Sequence, residues 1–159
     1  MQRGLQKLRR SDEEAIKEAG LTLDFDEMAR KGSMSAEEAA IAKWYGIYRS
    51  RQPGHHMARV LVPGGQITSV QARALAELAS KYSTGLLSWT TRQSAQLHAL
   101  QLADLGPFLR DVKAAGMTTF HGCGDVTRNM AACPWAQICP HRRIDVLPYA
   151  KQAAERLSA

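Results

Sequence analysis

The chain has 159 residues, enough for one domain with a substantial core, or for one domain plus an arm. Hydrophobic residues make up 45% and charged residues 23%, an ordinary soluble composition, and the absence of any apolar run of about 18 residues excludes a membrane-spanning helix. The formal net charge of +6 favours anionic partners without choosing among nucleic acid, acidic protein, anionic cofactor and oxyanion.

The N-terminal Met1-Gln2-Arg3-Gly4-Leu5 has a basic residue but no apolar segment behind it. No secretory leader is therefore expected, and the expected compartment is the cytoplasm. Three cysteines, Cys123, Cys133 and Cys139, are too few and too odd in number for a disulfide framework, so reduced thiols are expected.

Residues 1–50 read as a helical arm. Ser11 with Glu14 fits a capping box, and Ser35 with Glu38 repeats it, starting a helix that runs towards Tyr45. Gly32 and Ser33 interrupt between them. Few apolar residues recur at a helical period, so the arm is expected to lie over another surface rather than fold alone.

Residues 56–122 carry the strongest pattern. Met57 to Val62 reads as a strand, stopped by Pro63-Gly64-Gly65. Thr68 with Gln71 fits another capping box, and the helix behind it puts Val70, Ala74, Leu75, Leu78, Ala79 and Tyr82 on one stripe. Gly85 ends that connection. Leu86 to Thr91 and Gln96 to Leu100 read as two further strands. Asp104 caps a second helix with Pro107 in its first turn, and Leu105, Phe108, Leu109 and Val112 form its apolar face. Gly116 stands at the C-terminal glycine position, and Met117 to Phe120 reads as a fourth strand. The order β-α-β-β-α-β predicts an α+β fold, a ferredoxin-like antiparallel sheet with two helices on one face. The other face must be covered or must bind something. Residues 121–143 are irregular, and a C-terminal helix is expected within Ile144 to Leu157, starting at Pro148 at the latest.

Two constellations could carry chemistry. In Thr90-Thr91-Arg92-Gln93-Ser94-Ala95-Gln96-Leu97-His98, alternation across a strand–turn–strand could place Arg92, Gln96 and His98 on one face. A bound anion would give such a polar face a purpose; so would plain contact with solvent. The second constellation is Cys123-Gly124-Asp125-Val126-Thr127-Arg128-Asn129. Its glycine admits close backbone approach, and its arginine offers a planar fork of donors to carboxylates and oxyanions. Asp125 could orient Arg128 or merely pair with it, and Asn129 could bond the loop backbone.

On these residues the chain resembles the N-terminal half of the sirohaem-dependent nitrite/sulfite reductase family. The similarity runs through Lys43 to Gly46, Met57 to Val60 with Pro63-Gly64-Gly65, Thr90-Thr91-Arg92-Gln93 with Gln96-Leu97-His98, Gly124-Asp125 with Arg128-Asn129, and Ile144-Asp145-Val146 with Pro148. The resemblance implies a ferredoxin-like half domain over residues 51–122 and the start of a sirohaem-binding domain over 123–159. It implies sirohaem coupled to a [4Fe–4S] cluster, electrons from ferredoxin or a flavoprotein, and reduction of nitrite to ammonia or sulfite to sulfide. Arg92 and Arg128 would be the catalytic arginines, contacting sirohaem carboxylates and substrate oxygens. Gln96, His98 and Asn129 would be further cofactor-pocket residues.

The family's cluster-ligating cysteines, its second ferredoxin-like repeat and a later lysine loop have no counterpart here. The chain is accordingly expected to be inactive alone, with a missing C-terminal half or a partner chain supplying the cluster. Cys133 and Cys139 have a Cys-x5-Cys spacing, but four thiolates are normally needed, so the match is read as coincidence and no metal ligand is expected. His55 and His56 would point to opposite faces of a strand. Trp44, Trp89 and Trp135 are expected to be packing residues. A precorrin-3B synthase-type enzyme of the same family is the near alternative. A non-catalytic basic binding module is the distant one, although the sheet lacks the Phe/Tyr pair that stacks RNA bases, and no nucleic acid partner is expected.

Overall fold

The computed structural model describes Gly20, residues 22–123 and residues 126–157. The capping box at Ser11, together with Gly124 and Asp125, lies outside the described residues.

Two short helices come first. Helix α1, Phe25–Lys31, is capped by Asp24, whose carboxylate accepts from the backbone N–H groups of Asp26 and Glu27 at 2.9 Å each. Helix α2, Ala36–Ala42, starts at the Ser35/Glu38 capping box and stops three residues short of Tyr45. Phe25 and Met28 are buried in the same core as the sheet, and Arg110 ties α1 to a later helix through Asp26 at 2.6 Å.

Four antiparallel strands follow: β1, Ile47–Arg49; β2, His55–Val60; β3, Leu87–Trp89; and β4, Ala95–Gln101. Their order in the sheet is β1-β2-β4-β3. Helix α3, Ser69–Tyr82, links β2 to β3, and helix α4, Leu105–Ala114, follows β4. Helix α5, Leu147–Leu157, comes last. Thr68 and Gln71 form the expected reciprocal cap of α3. Leu75, Leu78, Ala79 and Tyr82 of α3, with Leu105, Phe108 and Val112 of α4, meet Ala58, Val60, Ala95 and Leu97 in one core. Val70, in the first turn of α3, is exposed. Asp104 precedes α4 without making a side-chain cap; a short 3-10 turn, Leu102–Asp104, leads into the helix instead.

The expected α+β sheet with helices on one face is present, but its fourth strand is not Met117 to Phe120. The edge of β2 is taken by β1, which pairs Ile47 with Ala58 and Arg49 with His56. Only the end of that edge remains, where the Leu61 N–H donates to the Thr118 carbonyl at 2.8 Å. The Phe120 N–H then donates to Thr118 Oγ1 at 3.0 Å, a local turn that competes with a ladder.

Strand β4 contains a bulge. His56 pairs with Leu100 and Ala58 with Leu97, so three steps on β4 match two on β2, and Ala99 takes up the extra residue at φ 61°. The bulge restores alternation: Ala95, Leu97 and Leu100 face the helices, while Gln96 and His98 face away. Arg59 of β2 pairs with Gln96 on that outer face. Among the described residues no helix is long and apolar enough to cross a membrane.

Candidate anion-binding site

The turn between β3 and β4 is built by its own side chains. Thr90 Oγ1 accepts from the N–H groups of Arg92 (3.3 Å) and Ser94 (3.0 Å), and the Thr90 N–H donates to the Ser94 carbonyl at 2.8 Å. Gln93 adopts φ 60°. Arg92 therefore sits at an exposed turn and not on the strand face with Gln96 and His98, the placement that alternation allows. The connection, residues 90–94, is one residue longer than the strand pattern implies, and Arg92 stands at its centre.

The segment carrying Arg128 is fastened to this turn. The buried Asn129 side chain donates from Nδ2 to the Arg92 carbonyl at 2.7 Å and to the Val62 carbonyl at 3.0 Å. Gln93 donates from Nε2 to the Ala132 carbonyl at 2.7 Å and accepts from the Ala132 N–H at 2.9 Å. The Gly64 N–H donates to the Met130 carbonyl at 2.7 Å. Gly65 is needed beside them: a Cβ there would stand 2.8 Å from Gln93 Cδ, and its φ is 68°. Pro63-Gly64-Gly65, Thr90 to Gln93 and Arg128-Asn129 thus belong to one joint.

That joint closes a hollow of about 200 Å³ lined by Arg59, Thr90, Arg92, Ser94, Arg128 and Asn129, among others. Among the described residues no acidic side chain lines it. The structure brings Arg92 and Arg128 together, as the sequence motifs suggested. It adds Arg59, which sequence reasoning passed over as one member of a strand; the available signal was a lone arginine at an outward position of an apolar run. Arg59 donates from Nη1 to the Gly122 carbonyl at 3.3 Å. With the Gln96 amide oxygen turned towards it, Gln96 accepts from Arg59 Nη2 at 2.6 Å and Nε at 3.2 Å. Gln96 thus acts on the hollow through Arg59. His98 is exposed further along β4 and outside the hollow.

Cys123 is fully buried nearby. Burial pushes its thiol up, against the opposing pull of Arg59, a Tyr48 hydrogen bond and Arg128, so it stays a neutral thiol at ordinary pH. Cys133 is exposed and Cys139 half-buried, both as free thiols. Among the described residues no three of His, Cys, Asp and Glu converge to hold a metal ion. His55 and His56 do point to opposite faces, with His56 buried. Trp44 is a packing residue, fully buried; Trp89 and Trp135 are not, being 55% and 63% exposed. Trp89 lines a second, more apolar hollow of about 510 Å³ with Ile67, Pro134, Ile138 and Leu147. Thr90 belongs to both hollows.

Residues 48–115 match the model of the nitrite/sulfite reductase ferredoxin-like half domain. The chain is 33% identical over 152 residues to the chloroplastic ferredoxin–nitrite reductase of Zea mays, covering 94% of this chain and 25% of that protein. It is 31% identical over 140 residues to the sulfite reductase [NADPH] hemoprotein beta-component of Acidithiobacillus ferrooxidans, covering 79% of this chain and 25% of that protein. The chain thus spans about a quarter of the length of these relatives. The fold is similar to that of the Mycobacterium tuberculosis NirA protein, with a TM-score of 0.81 at 21% identity over 92% of this chain and 32% of that one.

Proposed function

Because residues 48–115 match the ferredoxin-like half domain of the nitrite/sulfite reductase family, we propose that this chain supplies the anion-holding wall of a reductase converting nitrite to ammonia or sulfite to sulfide. The observation that carries the reading is the hollow itself. Three guanidinium groups from separate segments, Arg59, Arg92 and Arg128, share one concavity with no described acidic side chain in its lining.

That donor set fits sirohaem, whose periphery is a ring of carboxylates, and it fits an oxyanion equally well. At about 200 Å³ the hollow takes one carboxylate or one small oxyanion, not a whole tetrapyrrole. Sirohaem, when bound, supplies the iron at which the anion is reduced. Arg92 and Arg128 hold anionic oxygens by charge-assisted hydrogen bonds and offset negative charge gathering on them. Arg59, steadied by Gln96 and the Gly122 carbonyl, presents a third fixed cation. Asn129 keeps the Arg92 turn in place, and His98 stands at the periphery of the cofactor face. A [4Fe–4S] cluster needs thiolates from sequence beyond these three cysteines, one of which is buried and neutral. Electrons would come from ferredoxin or a flavoprotein.

The test is steady-state reduction of nitrite and of sulfite by a complete reductase containing this chain. Arg59→Ala, Arg92→Ala and Arg128→Ala should each lower the rate about 100-fold or more, as loss of a preorganised oxyanion donor does. Unchanged rates from all three variants, with the fold intact, refute the assignment.

A further inference from the structure

We propose that Gln93 is a positioning residue: its side chain stands outside the lining of the arginine hollow, yet it sets the spacing of Arg92 and Arg128 and so the affinity for a bound anion. The inference rests on the anion-holding reading above and deepens it.

Arg92 and Arg128 belong to segments that no strand ladder joins. What joins them is two side-chain amides. Asn129 takes the Arg92 carbonyl, and Gln93 mimics a peptide group by bonding both the N–H and the carbonyl of Ala132. Asn129 lies within the hollow, whereas Gln93 lines only the apolar hollow on the other side of the turn. Gln93 is therefore the member that can be replaced without altering the identity of any side chain lining the arginine hollow. Its conformation also carries a cost, since φ 60° is uncommon for a residue with a side chain. The two bonds to Ala132 offset that cost, and Gly65 leaves the space in which they form. With the Gln93 bonds lost, only the Asn129 bond to the Arg92 carbonyl, of the hydrogen bonds among the described residues, ties the turn to the Arg128 segment; their spacing is less fixed, and an anion must then draw them together at the expense of its own affinity. By linkage the effect is reciprocal: if the closed clasp tightens anion binding, a bound anion must hold the clasp closed by the same factor.

The 159-residue chain is titrated with sodium sulfite, and separately with sodium nitrite, at constant ionic strength, following the arginine Nε–H signals by NMR. Gln93→Met keeps the length of the side chain and removes its donor and acceptor. Sulfite should bind this variant about 5- to 10-fold more weakly than wild type. In wild type, saturating sulfite should slow hydrogen exchange at the Ala132 amide by a similar factor, about 5- to 10-fold, a change that a merely structural bond would not show. The exchange measurement needs no variant and stands even where Gln93→Met fails to fold. Equal affinity in wild type and Gln93→Met, or Ala132 exchange indifferent to sulfite bound at the arginines, overturns the role of Gln93 alone. No arginine response to either anion in wild type overturns the anion-holding reading and the clasp with it.

Discussion

Gly46→Ala should destabilise the fold by an amount that can be split into two parts. Gly46 has φ 74°, a left-handed conformation in which a side chain costs about 1–2 kcal/mol. A Cβ there would also stand 2.9 Å from the Arg59 carbonyl oxygen and 3.0 Å from Thr119 Cβ, and closer still to the Thr119 carbonyl oxygen. These neighbours cannot swing aside. The Thr119 carbonyl accepts the Gly122 N–H at 2.8 Å, and the Arg59 N–H donates to the Gly46 carbonyl at 2.9 Å. Forcing them apart should add about 1–3 kcal/mol, the usual range for overpacking. Gly54 separates the two parts, because its φ of 76° is similar but nothing lies within 4 Å of a Cβ built on it. Urea unfolding followed by circular dichroism should therefore show a loss of about 1–2 kcal/mol for Gly54→Ala and about 2–5 kcal/mol for Gly46→Ala, with unchanged m. Losses that agree within about 0.5 kcal/mol would show that contact around Gly46 contributes nothing.

Leu97→Ala, at a fully buried position of β4, should cost about 2–5 kcal/mol in the same urea assay, and a loss under about 1 kcal/mol would mean that the site collapses around the gap. Tyr82→Phe removes the 2.7 Å bond to Asp111 that links α3 to α4 and should cost about 1 kcal/mol; a neutral result would assign that link to Lys81 alone. His56 is held below its ordinary value near 6.5, first by burial and then by the charges of Arg49 and His55, against a raising bond to Leu100. The unfolded chain then binds the proton that the folded chain resists, so its contribution is complete above about pH 6.5 and is lost as pH falls through the folded value. Urea midpoints measured from about pH 7.5 down to 5.5 should decline more steeply for wild type than for His56→Asn, and parallel curves would remove His56 from the acid response.

Much of the fold was legible because its signals are local. The Ser35 and Thr68 capping boxes start α2 and α3 where the side chains say they should, and the apolar stripe of α4 faces the core. The fourth strand was not legible, because Met117 to Phe120 has strand composition and loses only to a competitor, Ile47–Arg49, for one edge. Arg59 was hidden for a related reason. An arginine on the outer face of a strand reads the same whether it meets water or lines a hollow, and the Gly122 segment that makes the difference is 63 residues away. The meeting of Arg92 with Arg128 was suggested by motif alone. Its physical basis is two amide side chains bridging 37 and 39 residues, a distance at which no periodicity operates.

Both outer strands of the sheet, Ile47–Arg49 and Leu87–Trp89, have only three residues. Among the described residues, a newcomer chain seeking to extend the sheet would meet only a three-residue strand on either flank, a short template for amyloid-like growth or strand exchange. Among the described residues, exposed apolar side chains such as Trp89 and Ile138 offer the better footing for self-association, and association through them should respond to mild detergent.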